Sequence, residues 1–252
     1  MQVTIRVIGI GPGDPSAITL QAIEAMADVD AFVALEKGSA KDGLLQARKM
    51  ILDRHAPQDY SLIEVPDPPR DRDPQDYDAE VRRWHSARAQ LISRAITENV
   101  PDGGIAGFLV WGDPALYDST LRIVDDLAAR DDLDVVVEVI PGVTSASALT
   151  AAHRIVANRV GEPIHITTGR RLADTPAGAE KNQIVMLDAD LSFRHTADAD
   201  DEIWWGAYLG TQDEILISGR VGEVTEQIVT ARAEARERIG WIMDIYLLRK
   251  AR

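Results

Sequence analysis

Gly9-Ile10-Gly11-Pro12-Gly13-Asp14-Pro15 lies between an apolar run and a stretch of helical periodicity. Upstream, Val3, Ile5, Val7 and Ile8 read as a buried strand. Downstream, Ile18, Leu20, Ala22, Ile23 and Met26 recur at helical spacing. The glycines therefore form a loop that joins a first strand to a first helix. A dinucleotide loop reads G-x-G-x-x-G, with its third glycine inside the helix and backbone amides on a pyrophosphate. Here the third glycine comes one residue early and is followed by Asp14 and Pro15. An anionic side chain sits badly beside a pyrophosphate; it suits a ligand that has no phosphate and carries positive charge.

The same alternation continues outward from this loop. Strands are expected at 31–35, 61–65, 104–110 and 135–140, with helices at 41–55, 77–98, 119–130 and 144–152. Between the third strand and the long helix, Asp67-Pro68-Pro69-Arg70-Asp71-Arg72-Asp73-Pro74 forbids regular structure. Alternation of this kind predicts an α/β fold with a mostly parallel sheet covered on both faces. Near residues 157–161 the rhythm changes. Strands at 164–168 and 184–187, apolar runs at 203–209, 215–217 and 241–248, and a helix over 223–238 suggest a second α/β domain with a mixed sheet. The expected division is 1–158 for the N-terminal domain with the glycine loops and 159–252 for the C-terminal domain.

Composition narrows the function classes. At 252 residues, 45% hydrophobic and 27% charged, the chain can bury a substantial core. No apolar run approaches the ~20 residues of a membrane helix, so no membrane partner is expected and the cytoplasm is the expected compartment. With no cysteine there is no disulfide, thiolate metal site or cysteine nucleophile. The net charge of −14 argues against sequence-independent nucleic-acid binding. The five histidines, at 55, 85, 153, 165 and 195, include no i, i+4 helical pair, so no metal is expected. No G-x-S-x-G motif marks a serine hydrolase.

In an open parallel sheet, ligands bind beyond the carboxyl ends of the strands. Three loops emerge there: the first glycine loop, Gly112-Asp113-Pro114-Ala115-Leu116-Tyr117 after the fourth strand, and Pro141-Gly142-Val143-Thr144-Ser145 after the fifth. These motifs, in this order and spacing, resemble those of the tetrapyrrole (corrin and porphyrin) methylases. Thr19-Leu20-x-Ala22, Ile166-Thr167-Thr168-Gly169 and Ile184-Val185-Met186-Leu187 extend the resemblance over nearly the whole chain. The segment 36–94 and Val185-Met186-Leu187-Asp188-Ala189-Asp190-Leu191-Ser192-Phe193 are most similar to the deacetylating precorrin members.

The resemblance implies two α/β domains, with S-adenosylmethionine as methyl donor in the cleft between them. Its donor contacts fall on Pro12, Trp111, Gly112, Asp113, Leu116, Thr144, Ser145, Met186 and a backbone position near Leu209. Two departures stand out: Trp111 replaces a usual glycine, and the strand around 207–209 lacks one. The resemblance further implies precorrin-5 as substrate, methylated at C-1 with loss of acetate, and a homodimer. Methyl transfer from a sulfonium needs alignment and exclusion of water more than a dedicated catalytic group. Deacetylation does need a base for water and donors for an oxyanion, for which Asp14, Tyr117 and His153 are the candidates. Asp113 offers either charge to the donor's cationic end or a turn-forming carboxylate. Arg70, Arg72, Arg170 and Arg171, all in expected loops, are the candidates for the substrate's carboxylates. Within the resemblance, the alternative is a corrin-ring methylase acting at another ring carbon; from a different class, a nicotinamide-dependent reductase would use the Gly9–Gly13 loop with Glu36 on the ribose, and a non-catalytic carrier would merely keep the pocket.

Overall fold

Val3, Ile5 and Val7 alternate along β1 (Gln2–Gly9) and are fully buried, while Ile8 and Ile10 enter a separate cluster. Such two-sided burial is what a parallel strand between helical layers requires. The computed structural model describes residues 1–36, 42–69, 71 and 75–251. It divides into two compact units: Met1–Gly11 with Pro15–Val143, and Pro12–Asp14 with Thr144–Arg252.

In the first unit β1 is followed by α1 (Leu20–Met26), β2 (Ala31–Glu36), α2 (Asp42–His55), β3 (Leu62–Pro66), α3 (Tyr77–Asn99), β4 (Ile105–Val110), α4 (Thr120–Ala128) and β5 (Asp134–Ile140). The strands form one parallel sheet in the order β3-β2-β4-β1-β5. One face packs Val3, Ile5, Phe108 and Val110 with Ile92 and Ile96 of α3 and Val124 and Leu127 of α4. The other packs Ile8, Phe32 and Leu109 with Ala22 and Met26 of α1 and Ile51 and Leu52 of α2. Thr19 begins α1 by accepting the Ala22 N–H at 3.1 Å, and Asp76 begins α3 by accepting that of Ala79 at 2.9 Å. Both use the preferred N-cap chemistry.

The second unit holds α5 (Ser145–His153), β6 (His165–Thr168), α6 (Gly169–Leu172), β7 (Asn182–Met186), α7 (Phe193–Thr196), β8 (Glu202–Ala207), β9 (Ile215–Arg220), α8 (Val221–Ile239) and β10 (Asp244–Arg249). Its sheet, β6-β7-β10-β8-β9, is mixed: β6 and β7 are parallel and the other pairs antiparallel. Val185, Trp205 and Tyr246 pack with Phe193 and Ile228 on one face. The two-domain α/β reading therefore holds, with a parallel and a mixed sheet. The division falls at Val143/Thr144 rather than near 158, because α5 packs on β8, β9 and β10. Its small-residue sequence, directly after β5, reads as one more crossover of the first sheet; the contacts of Leu149 place it elsewhere. No helix among the described residues is long and apolar enough to cross a membrane.

Candidate functional site

The register of the first sheet brings the three loops to one level. Gly9 pairs with Val110, and Ile8 with both Leu109 and Ile140, so β1, β4 and β5 end together. Here the connection after β1 leaves toward β2 and that after β4 toward β5, which is a topological switch point. Beyond it Gly11 and Gly112 exchange backbone hydrogen bonds, Gly11 N–H to Gly112 O at 3.2 Å and Gly112 N–H to Gly11 O at 2.8 Å. Both glycines have positive φ, 76° and 72°, which glycine adopts without steric penalty. The third loop crosses against them: a β-carbon on Gly142 would lie 2.1 Å from Gly112 O and 2.8 Å from Gly9 C.

Asp113 fastens this crossing. Its Oδ1 accepts the Ala115 N–H at 2.8 Å and its Oδ2 the Gly142 N–H at 2.9 Å. Of the two roles open to it in the sequence, the structure shows the turn-forming one. Trp111 is half-buried beside it, and Tyr117, 44% exposed, has φ 53°. Arg48 of α2 donates from Nε to Leu109 O at 2.9 Å, and burial lowers its pKa despite nearby Asp118. No spacing in the sequence announces that contact, which joins positions far apart in the chain.

In the second unit Thr144 begins α5, its Oγ1 accepting the Ser147 N–H at 3.1 Å. Ser145 Oγ lies 3.9 Å from Met186 Sδ, so two expected donor contacts meet. Met186 and Leu209 are buried, and the residue beside each, Leu187 and Tyr208, has positive φ. Such backbone strain in non-glycine residues concentrates at functional sites. Asp188 anchors this turn: its carboxylate accepts from Tyr246 OH at 2.7 Å, Ser192 N–H at 2.6 Å and Ser192 Oγ at 2.8 Å. Burial and that carboxylate hold the Tyr246 phenol far above its ordinary pKa. Pro12 and Asp14 belong to this unit and lie against Gly210, on which a β-carbon would be 3.1 Å from Asp14 N.

The remaining candidates separate. His153 is in the second unit, where Nε2–H donates to Trp205 O at 3.0 Å. It is about 12 Å along the helix axis from Ser145. Arg171 pairs with Asp174 at 3.2 Å, both exposed, and Arg170 is exposed beside it. Arg70 and Arg72 lie outside the described residues. Among the described residues no group of three or more His, Asp or Glu is placed to hold a metal ion. The residues expected at the donor combine apolar Pro12, Leu116, Met186 and Leu209 with hydroxyls and a carboxylate, and include no Lys or Arg. That donor set fits an unphosphorylated, cationic ligand.

Residues 4–225 match the family model of the Tetrapyrrole (Corrin/Porphyrin) Methylases, and the chain belongs to that family. Tetrapyrrole methylases use S-adenosylmethionine as methyl donor. A precorrin-6A synthase [deacetylating] of Sinorhizobium sp is 45% identical over 247 residues, 98% of this chain and 95% of the relative. The crystal structure of a putative cobalamin-synthesis-related protein (CobF) from Corynebacterium diphtheriae aligns with TM-score 0.88 at 45% identity, covering 99% of each chain. The fold is shared with a uroporphyrin-III C-methyltransferase of Thermus thermophilus solved with S-adenosylhomocysteine, at TM-score 0.63 and 18% identity. That alignment covers 97% of this chain and 91% of the other. Family membership sets aside the nicotinamide-dependent reductase.

Proposed function

We propose that this enzyme methylates C-1 of precorrin-5 from S-adenosylmethionine, releasing the C-1 acetyl group as acetate and giving precorrin-6A. The observation that carries this reading is the full-length 45% identity to a deacetylating precorrin-6A synthase. Pro12, Trp111, Gly112, Asp113, Leu116, Thr144, Ser145, Met186 and Leu209 hold the donor.

The chemistry proceeds in two balanced steps. Water adds to the acetyl carbonyl as a base takes one of its protons, the bond from that carbon to C-1 breaks, and acetic acid leaves with the other proton. The electron pair stays on C-1, delocalised into the conjugated macrocycle. C-1 then attacks the methyl carbon, the sulfur–carbon bond breaks, and S-adenosylhomocysteine is the product. The second step needs alignment and a dry site; the first needs a base and an oxyanion donor. We assign these roles to Asp14 and to Tyr117, which projects from the loop after β4. His153 is left with Nδ1 as its only lone pair and holds α5 to β8. Tyr117→Phe should slow acetate release about 10-fold or more, in the range of single oxyanion or acid–base groups, with donor affinity retained. His153→Ala should leave the acetate-to-methyl ratio at one.

The enzyme is expected to work in the cytoplasm as a homodimer. Supporting assembly, Val136, Val137 and Val139 are each more than 40% exposed on the edge strand β5, and an apolar unpaired edge invites a partner. Sedimentation should give twice 27.6 kDa. The function itself is tested by anaerobic mass spectrometry of precorrin-5 incubated with methyl-deuterated S-adenosylmethionine. Loss of acetyl with gain of one labelled methyl is expected. Methyl gain with acetyl retained would move the reaction to another ring carbon, and no transfer despite donor binding would favour a carrier.

A further inference from the structure

A residue with a β-carbon is strained at positive φ, and a large apolar side chain left in water forgoes the gain of burial. Leu187 does both. Its φ is 53° and it is 65% exposed, although its neighbours Met186 and Asp188 are buried. The other residues of this kind have local reasons for their backbone. Leu191 and Tyr208 are buried in the core of the second unit, which offsets the strain. Arg154 is the left-handed C-cap of α5. Tyr117 lies in the loop after β4, where a role is already assigned to it. Among the described residues, Leu187 is the one aliphatic side chain at positive φ with neither burial nor a helix end to account for it.

Such a conformation persists only where its surroundings over-determine it, and Asp188 supplies that constraint. Its Oδ2 accepts from Ser192 N–H and Tyr246 OH, and its Oδ1 from Ser192 Oγ and, at 3.3 Å, from Asp190 N–H. A β-carbon on Gly169 would lie 2.2 Å from that Oδ1, so the end of β6 is pressed against the carboxylate. The Asp188 carbonyl accepts from Arg232 Nη2 at 3.2 Å, and Arg232 is fixed in turn by Asp244, Nε to Oδ2 at 2.8 Å. Relaxing φ at Leu187 would pull on all of these bonds. The register then sets what lies nearby. Met186 pairs with both Thr168 and Ile245, and Ala207 with Asp244, so β6, β7 and β8 end at one edge. The expected donor contacts of this unit gather there: Met186, Ser145 against its sulfur, and Leu209 just beyond β8. Ligand sites are lined mainly by apolar side chains with a few polar groups among them. Of the donor's two ends, the amino-acid end is zwitterionic and the nucleoside presents a flat, largely apolar face. The nucleoside is the part that an exposed leucine matches.

We infer that Leu187 is a further donor-binding residue, held outward in its left-handed conformation so that its side chain packs on the nucleoside of S-adenosylmethionine. The inference rests on the donor placement proposed above. Three variants test it. Leu187→Gly removes the side chain and relieves the backbone. Leu187→Asn keeps a residue that tolerates the left-handed region but removes the apolar group. Leu187→Met keeps an apolar group of similar volume. Because the side chain is exposed, no core is emptied, and the ligand-free Tm of the Gly and Asn variants should be unchanged or higher. By calorimetry, S-adenosylhomocysteine should bind both about tenfold more weakly, the scale of one lost apolar contact of this size. Leu187→Met should restore most of that affinity. The same losses are expected with 5′-methylthioadenosine, which keeps the nucleoside and lacks the amino-acid end. The KM for precorrin-5 should not change. Wild-type affinity in Leu187→Asn overturns the inference, as does a Tm that falls in step with affinity or a loss confined to S-adenosylhomocysteine. A raised KM for precorrin-5 with donor affinity intact would move Leu187 to the macrocycle and also overturn it. Should the wild type bind no S-adenosylhomocysteine, the donor placement has failed and the inference fails with it. Wild-type binding with indifferent variants removes Leu187 alone and leaves the placement standing.

Discussion

Gly142 has no space for a β-carbon, and the atoms in its way are backbone. A methyl there would meet Gly112 O at 2.1 Å, where no side chain can rotate aside. Gly142→Ala should therefore force the three loops apart, at the upper end of the roughly 1–3 kcal/mol of ordinary overpacking or beyond. Gly178→Ala is the control, with positive φ but nothing within 4 Å; it should cost only about 1–2 kcal/mol for the left-handed backbone. Denaturant unfolding of both, with calorimetric titration of S-adenosylhomocysteine, separates crowding from strain: only Gly142→Ala should lose donor binding. Asp113 makes a second residue-scale case. Both its oxygens face N–H groups, so in Asp113→Asn the amide nitrogen must oppose one of them whichever way it turns. An unsatisfied donor pair of this kind costs about 1–3 kcal/mol. The variant should lose that much stability and bind S-adenosylhomocysteine more weakly. Stability lost with donor affinity intact would show the fastening to be irrelevant to the ligand.

The helices show how much the elements tell and what they hide. α3 and the turn after α4 are tied at Asp132, which accepts from Ser93 Oγ at 2.8 Å and from Arg130 Nε at 2.9 Å. The Arg130 and Ser93 bonds hold the Asp132 carboxyl down at about 2, from an ordinary 3.8. A carboxylate whose pKa is lower folded than unfolded adds stability that is complete above the unfolded value and is lost as pH falls through the folded one. The tie should thus weaken between about pH 4 and pH 2. Asp132→Asn should flatten acid unfolding in that window; identical acid curves would discount the tie. The elements of the first sheet were legible because each strand is an apolar run and each helix an amphipathic repeat. The glycine loops were legible because a change of period with Gly and Pro between marks a strand-to-helix turn. Less was visible for α5, whose alanines, serines and threonines carry no face strong enough to say which sheet it covers. The antiparallel order of β7, β10, β8 and β9 was hidden because long-range pairing leaves no local signature. The same holds for Arg48 on Leu109 and Arg88 on Asp67: side chains at ordinary helical positions whose partners only the fold supplies.

Across the molecule, charge and ligand pull in opposite directions. The chain carries a net charge of −14, and a precorrin is an anion, so the far field repels the substrate that the site must hold. The field of the whole chain and that of an arginine in direct contact with a substrate carboxylate have different ranges. At 0.01 M salt the screening length is about 30 Å and the approaching substrate feels the full excess of carboxylates; at 0.15 M it is about 8 Å and only nearby groups act. Salt should therefore first help binding by hiding the distant charge, then hinder it by weakening the expected arginine–carboxylate contacts. The expected outcome is a kcat/KM for precorrin-5 that rises from low to physiological ionic strength and falls beyond it. The affinity for zwitterionic S-adenosylhomocysteine should change little over the same range. Substituting an exposed carboxylate at the opposite, amino edge of the first sheet, such as Asp131 in the turn before β5, by asparagine should reduce the rising limb and spare the falling one. A kcat/KM that only falls with salt would mean that attraction to local cationic groups dominates at every range, and that the net charge plays no part in substrate capture.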